Sequence, residues 1–182
     1  ASSNEIKISE KVEVLASTAN EIIIDFDLRK TIIASNTIQS DFDFVTDFEL
    51  SKGVRVVNNE GAGTVSGSVS DSNNTAETII VFAYKAGVYT EAEASGQGAS
   101  NVQFANATTS AIVASNTTYE LNFLKEGDYE IKFVAFEDSN NDGELEFKGM
   151  LNVESIVGLN VNSLNVSSNA NVNLLVNVKG IK

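Results

Sequence analysis

Apolar and polar residues alternate with a period of two along most of this chain. Side chains two apart share one side of an extended strand, so this spacing predicts β-strands, and no stretch holds the 3.6 spacing of an amphipathic helix. Short strands are predicted at 5–9 and 12–16. The first strong one spans 21–28, with Ile22, Ile24, Phe26 and Leu28 on one face and Asp25 and Asp27 on the other. Residues 41–50 repeat that design: Phe42, Phe44, Phe48 and Leu50 oppose Asp41, Asp43, Asp47 and Glu49.

A further strand at 54–57 runs into the polar, glycine-bearing segment 58–63, which predicts a boundary between a region 1–60 and a region 61–182. Beyond it the texture changes. Residues 64–70 form a small-residue strand, and the continuous apolar run 78–84 suits a strand buried on both faces. Residues 91–100 read as a loop. Strands follow at 101–104, 111–114, 118–124, 129–136 and 145–153, and the tail alternates through Leu159, Val161, Leu164, Val166, Val172, Leu174, Val176 and Val178 with Asn at outward positions. The fold class expected is all-β: an antiparallel β-sandwich preceded by a smaller, incomplete β region.

Charge narrows the partners. Against 25 Asp and Glu stand 12 Lys and Arg, a net charge of -13, with no His, Cys, Pro or Trp. Such a chain repels nucleic acid and anionic lipid. Lacking imidazole and thiol, it has neither the usual bases of hydrolases nor soft-metal ligands. No apolar run reaches the ~18 residues of a membrane span. The richness in Asn, Ser and Thr points to a secreted or cell-surface setting, and the start at Ala1-Ser2-Ser3 fits a mature end after leader removal or a trimmed boundary.

One stretch carries candidate chemistry: Glu137-Asp138-Ser139-Asn140-Asn141-Asp142-Gly143-Glu144-Leu145-Glu146. Oxygen-bearing side chains at every second residue, followed by a glycine turn, converge on one point as a calcium loop requires. Asp138, Asn140 and Asp142 are the expected side-chain ligands, Glu144 would offer its carbonyl, and Glu146 would ligate directly or through water. The flanks are strands and Gly149 stands where an EF-hand has its bidentate Glu, so an outside oxygen from Glu137 or Asp71 is expected to complete the shell. The structural alternative is a hairpin turn in which Asn and Asp support the bends. A second candidate cation site is the pair of acidic rows, Asp25 and Asp27 with Asp43 and Asp47. If these lie close in one sheet, a cation or Arg29, Lys30 and Arg55 must offset their repulsion. Asn-x-Ser/Thr acceptors for glycans begin at Asn73, Asn106, Asn116 and Asn165. No phosphate loop, dinucleotide fingerprint or nucleophile elbow is present, and no acid sits in an apolar run that would raise its pKa, so the chain is read as non-enzymatic.

Two resemblances add to this reading. Ile23-Ile24-Asp25-Phe26-Asp27-Leu28-Arg29-Lys30, the strand from Leu50 through Val57-Asn58-Asn59, and Gly63-Thr64-Val65-Ser66-Gly67-Ser68-Val69 follow one another in a manner similar to the end of the DUF4382 family. That family comprises bacterial surface or lipoprotein-like proteins. Its first domain is longer, so this chain is expected to begin well inside it and to expose open sheet edges. The later pattern Tyr119-Glu120-Leu121, Leu124, Gly127-Asp128-Tyr129-Glu130-Ile131 resembles transthyretin-like or Cna-B-like modules (carboxypeptidase-regulatory-like). Those modules imply a seven-strand Greek-key sandwich with a scaffolding or adhesive role.

The function expected is therefore a non-catalytic extracellular structural protein with calcium-supported loops. It would self-assemble into a surface filament or matrix by addition of β-strands, including donor-strand complementation, between copies. The alternative is a monomeric cell-surface module of a lipoprotein or adhesin that binds a glycan or protein ligand. That alternative gains if the four tyrosines, Tyr84, Tyr89, Tyr119 and Tyr129, cluster on an exposed face.

Overall fold

The computed structural model describes residues 8, 11–16, 19–34, 42–114 and 117–182. The predicted strand at 5–9 lies outside these apart from Ile8, and residues 12–16 carry no strand. The chain divides into two compact units, one of Ala1–Gly61 with Glu91–Ala105 and one of Ala62–Thr90 with Asn106–Lys182.

In the first unit, β1 (Ile22–Phe26) pairs antiparallel with β4 (Val54–Asn58), setting Ile24 opposite Val56 and Asp25 opposite Arg55. The chain between them makes a helical turn α1 (Leu28–Thr31), a separate two-stranded sheet of β2 (Ile32–Ala34) with β3 (Phe42–Phe44), and a helix α2 (Asp47–Gly53). Leu28 thus opens a helix instead of closing a strand. The second half of the predicted strand 41–50 is helical as well, and the reason is a capping box. Thr46 Oγ1 accepts the Glu49 N–H at 3.4 Å, and the Glu49 carboxylate accepts the Thr46 N–H at 3.4 Å and its hydroxyl at 2.8 Å. The predicted buried aromatic face does not form: Phe42, Phe44 and Phe48 are 68%, 72% and 71% exposed.

The segment 91–105 belongs to this unit and is more than a loop. A 3-10 turn (Glu91–Ser95) buries Glu93. Residues 101–104, read as a strand, are turns apart from Val102, which makes an isolated antiparallel bridge with Gln97, and Asn101 and Phe104 are at positive φ. Arg29 fastens the segment by donating to the carbonyls of Gln103 and, at 3.1 Å, Phe104.

The second unit is built of strands. β5 (Ala62–Ser70) takes β8 (Thr118–Lys125) antiparallel on one edge, with Val65 opposite Leu121. Its other edge takes β12 (Asn171–Asn173) and then β13 (Val176–Ile181), both parallel. β13 passes on to β10 (Glu146–Ser155), which pairs β9 (Gly127–Glu137), which pairs β6 (Thr78–Lys85), which pairs β7 (Thr109–Ile112). β11 (Leu164–Val166) lies against the start of β9. Because β13 belongs to both layers, the sandwich comes near to closing as a barrel, and it has nine strands where the resemblance implied seven. The all-β sandwich expected is thus present, mostly antiparallel, with β5 pairing β12 and β13 in parallel.

Between the layers lies one apolar core that includes Val65, Val81, Leu121, Leu124, Tyr129, Ile131, Phe133, Leu151, Val166, Leu174 and Val176. β6 is buried on both faces, as its unbroken apolar run requires: Val81 and Ala83 point into the core, and Phe82 and Tyr84 on the opposite face are also fully buried. Gly67 is forced by a close approach. A Cβ there would meet the Leu174 carbonyl oxygen at 1.9 Å, and the Tyr119 hydroxyl donates to that same oxygen at 2.8 Å.

Candidate functional site

The loop between β9 and β10 curls because Asn141 and Gly143 both adopt positive φ, 61° and 87°. That curl turns the side chains of Asp138, Asn140 and Asp142 inward. Asp138 Oδ1 and Asn140 Oδ1 each accept the Asp142 N–H at 3.0 Å, and Asp138 Oδ2 accepts the Gly143 N–H at 3.0 Å. Asn140 Nδ2 donates to Asp142 Oδ2 at 2.9 Å, while Asp142 Oδ1 accepts the Glu144 N–H at 2.8 Å. Three of the five residues singled out for cation binding are thus brought together around one backbone N–H.

Glu146 turns instead to Ser139, accepting its N–H at 2.9 Å and its hydroxyl at 3.1 Å, while Glu144, expected to offer its carbonyl, follows directly in the curl with its side chain exposed. Neither expected outside oxygen joins the loop: Glu137 pairs with Lys148 at 2.8 Å, and Asp71 closes its own turn by accepting the Ala76 N–H at 3.0 Å. The neighbour that does reach in is Glu77, whose carboxylate accepts the Asp138 N–H at 3.3 Å. Among the described residues no three acidic side chains gather as a metal group. The donor set still fits a hard cation in kind, since Asp138, Asn140 and Asp142 present only oxygen toward it once the Asn140 amide turns. Backbone carbonyls and water would have to complete six or more ligands.

The second candidate cation site is dissolved by the topology. Asp25 lies on β1 and Asp43 on β3, which belong to different sheets, so the two acidic rows are not neighbours in one sheet. Asp25 is held by Arg55 at 2.7 Å, and Asp27 by Arg29 at 3.2 Å and Lys30 at 3.5 Å. Asp47 is the first residue of α2. Lys30 is almost wholly buried; desolvation lowers its pKa, with the Asp27 charge opposing that shift.

With this geometry in view, comparison with known proteins gives likeness only at a distance. No protein family and no curated protein matches the chain. A candidate carbohydrate-binding protein of Pseudomonas aeruginosa aligns at 14% identity over 65% of this chain and 90% of its own, with a TM-score of 0.36. BcpA, the major pilin subunit of Bacillus cereus, aligns at 13% identity over 78% of this chain and 37% of its own, with a TM-score of 0.35. The pilus-presented adhesin Cpa aligns at 8% identity over 69% of this chain and 29% of its own, with a TM-score of 0.31.

The remaining candidates are placed as follows. Asn73, Asn106 and Asn165 are exposed, and Asn116 lies outside the described residues. The Asn165 amide is already engaged, donating to Asp128 at 2.9 Å. Three of the four tyrosines are buried: Tyr84 and Tyr129 at 0% and Tyr119 at 3% exposure. No exposed tyrosine face exists to serve a glycan.

A groove of about 600 Å³ does open in the second unit, lined by Ser66, Ser68, Thr118 and Glu120 with Ile112 and Asn173 among its walls. It arises where β7 and β8 part company. The Ala114 N–H bonds the Thr118 carbonyl at 2.8 Å, and no ladder joins the two strands beyond that point among the described residues. Register sets Glu120, Ser66 and Asn173 side by side across three strands, so a polar row crosses a groove whose walls include Ala111, Ile112 and Leu175. No motif pointed to this site: alternating Ser and Asn are as common on any solvated strand face.

The first unit also holds a polar clasp that single-strand patterning did not reveal. The Glu49 carboxylate accepts the Ser100 hydroxyl at 2.7 Å and its N–H at 3.0 Å, in addition to Thr46. These bonds, those from Ser100 foremost, lower its pKa from 4.5 to about 2. The Thr-x-x-Glu signature at 46–49 was the available signal for the helix half of this arrangement.

Proposed function

We propose that this protein is a non-catalytic extracellular structural subunit that associates with other copies through β-strand addition, with the 138–146 loop as a calcium-supported turn. The observation that carries the reading is the surface of the first unit. Among the described residues its two sheets have two strands each, and Ile22, Ile24, Phe26, Leu28, Phe42, Phe44 and Phe48 all remain between 44% and 72% exposed. A two-stranded ribbon is marginal alone, and apolar rows beside open edges are templates for another strand.

Calcium would act as a staple. Held by Asp138, Asn140 and Asp142, it would fix the turn between β9 and β10 and offset part of the net charge of -13. Electron microscopy and light scattering of the protein in calcium and in chelator test both parts. Concentration-dependent assemblies that grow or order with calcium are expected. Dispersed monomers at every concentration in both conditions would sink the reading.

A second reading, a monomeric surface module that binds a neutral glycan, is favoured by the groove between β7 and β8, which sets a row of polar side chains beside apolar walls. Glycan-array binding that is lost on Glu120→Ala, in a protein that stays monomeric, would replace the first reading with this one.

A further inference from the structure

In an antiparallel pair the backbone groups of alternate residues face the partner and face away from it. The ladder of β1 with β4 extends at both ends, from Asp27 N–H to the Gly53 carbonyl and from Asn59 N–H to the Glu21 carbonyl, each at 2.8 Å. Residues 21, 23, 25 and 27 therefore bond toward β4. The N–H and C=O groups of Ile22, Ile24 and Phe26 face the opposite edge, where no strand pairs among the described residues.

The side chains of the same three residues are 44%, 57% and 48% exposed, whereas their register partners Val54 and Val56 are buried. The apolar face of this ribbon is thus covered on the β4 side and open on the β1 side. Natural edges are ordinarily blunted by a Lys, a Pro or a bulge. β1 has none of these, and its register with β4 is unbroken. Its single charge, Asp25, is tied down by Arg55 at 2.7 Å.

We propose that the outer edge of β1 is an interaction surface for a second copy of this chain, whose own β1 lies antiparallel to it about a two-fold axis at Ile24. This deepens the strand-addition reading above and rests on it. The edge is self-complementary. Under that axis Ile24 meets its own counterpart and Ile22 meets Phe26 of the other copy. The outward backbone groups on each side then become mutual partners, and both apolar faces fall on one side of a four-stranded sheet. Charge permits the approach here although each copy carries -13 overall, because the only carboxylate on the strand already has its counter-ion. The apolar area is small beside the ~800 Å² per partner of a stable complex, so the pairing is weak and depends on concentration.

Sedimentation of the full chain in chelator, with and without Ile24→Lys, tests this, together with short thiol cross-linking of Ile24→Cys. The chain has no cysteine of its own, so the cross-link reports a single position. Ile112→Cys, 63% exposed in the second unit, is the control. A dimer that dissociates on dilution, loses at least tenfold in affinity with Ile24→Lys, and cross-links through position 24 but not 112 is the expected result. Association that survives Ile24→Lys, or cross-links equally through both positions, overturns the β1 edge and leaves strand addition to another edge. A monomer throughout overturns both.

Discussion

The two units of this chain are held by different physics. The second excludes water from a continuous apolar core, with Leu121, Leu124, Phe133 and Leu174 at 0–1% exposure. The first leaves Phe26, Phe42, Phe44 and Phe48 on the surface, and beside the buried Val54, Val57 and Phe104 it buries polar side chains, namely Lys30, Thr31, Asn58 and Glu93. Asn58 shows how it manages: its amide donates to the Glu13 carbonyl at 2.9 Å and to Asn20 at 2.7 Å, while its Oδ1 accepts the Glu60 N–H at 3.2 Å. A fold held by apolar burial resists local damage until a cavity opens. One held by directional bonds fails bond by bond, and it answers to pH.

Substitutions should separate the two. Leu121→Ala removes a fully buried side chain and is expected to destabilise the second unit by about 3 kcal/mol in denaturant unfolding. Phe48→Ala, an equal or larger truncation in the first unit, should shift stability by no more than about 0.5 kcal/mol. If the two cost the same, the contrast between the units is wrong. Asp27→Asn removes the carboxylate that lies 3.5 Å from the buried Lys30 ammonium, so the first unit should lose about 3 kcal/mol while the second is unmoved. Hydrogen exchange resolved by segment reads that difference. Thr46→Ala removes the cap of α2 at a cost of about 1 kcal/mol, again confined to the first unit.

The pH response is the gentlest probe. Glu49 has a folded pKa of about 2 against an ordinary 4.5. A carboxylate whose pKa is depressed by folding stabilises above the ordinary value, and that contribution fades as pH falls from about 4.5 through 2. The segment 91–105 should therefore loosen in acid before the core of the second unit does. Ser100→Ala should bring the Glu49 titration, followed by carboxyl NMR, back toward 4.5.

Much of the second unit could be read from the sequence because its instructions are local. The run 78–84 has no polar interruption, so both faces of β6 must be covered, and they are. The Asp138, Asn140 and Asp142 spacing likewise folds its loop from within. What escaped the pattern was set by partners distant in sequence or by signals of another kind. Period-two alternation at 41–50 competes with a Thr-x-x-Glu cap at 46–49, and the cap wins because it satisfies helix N–H groups that a lone strand would leave to water. The acidic rows looked like a cation trap only until pairing placed Arg55 across from Asp25. Nothing in residues 91–105 announces that Arg29 and Glu49 will hold them.

The parallel pairing of β5 with β12 and β13 has a mechanical consequence. The chain enters the second unit at Ala62 and leaves through β13, and these first and last strands run in the same direction side by side. Tension applied between the two ends pulls β5 and the closing strands past each other, so their hydrogen bonds and the Gly67–Leu174 contact are loaded together in shear. They are not unzipped one after another. A unit stitched in this way is suited to bearing load along its chain, whatever is attached at either end.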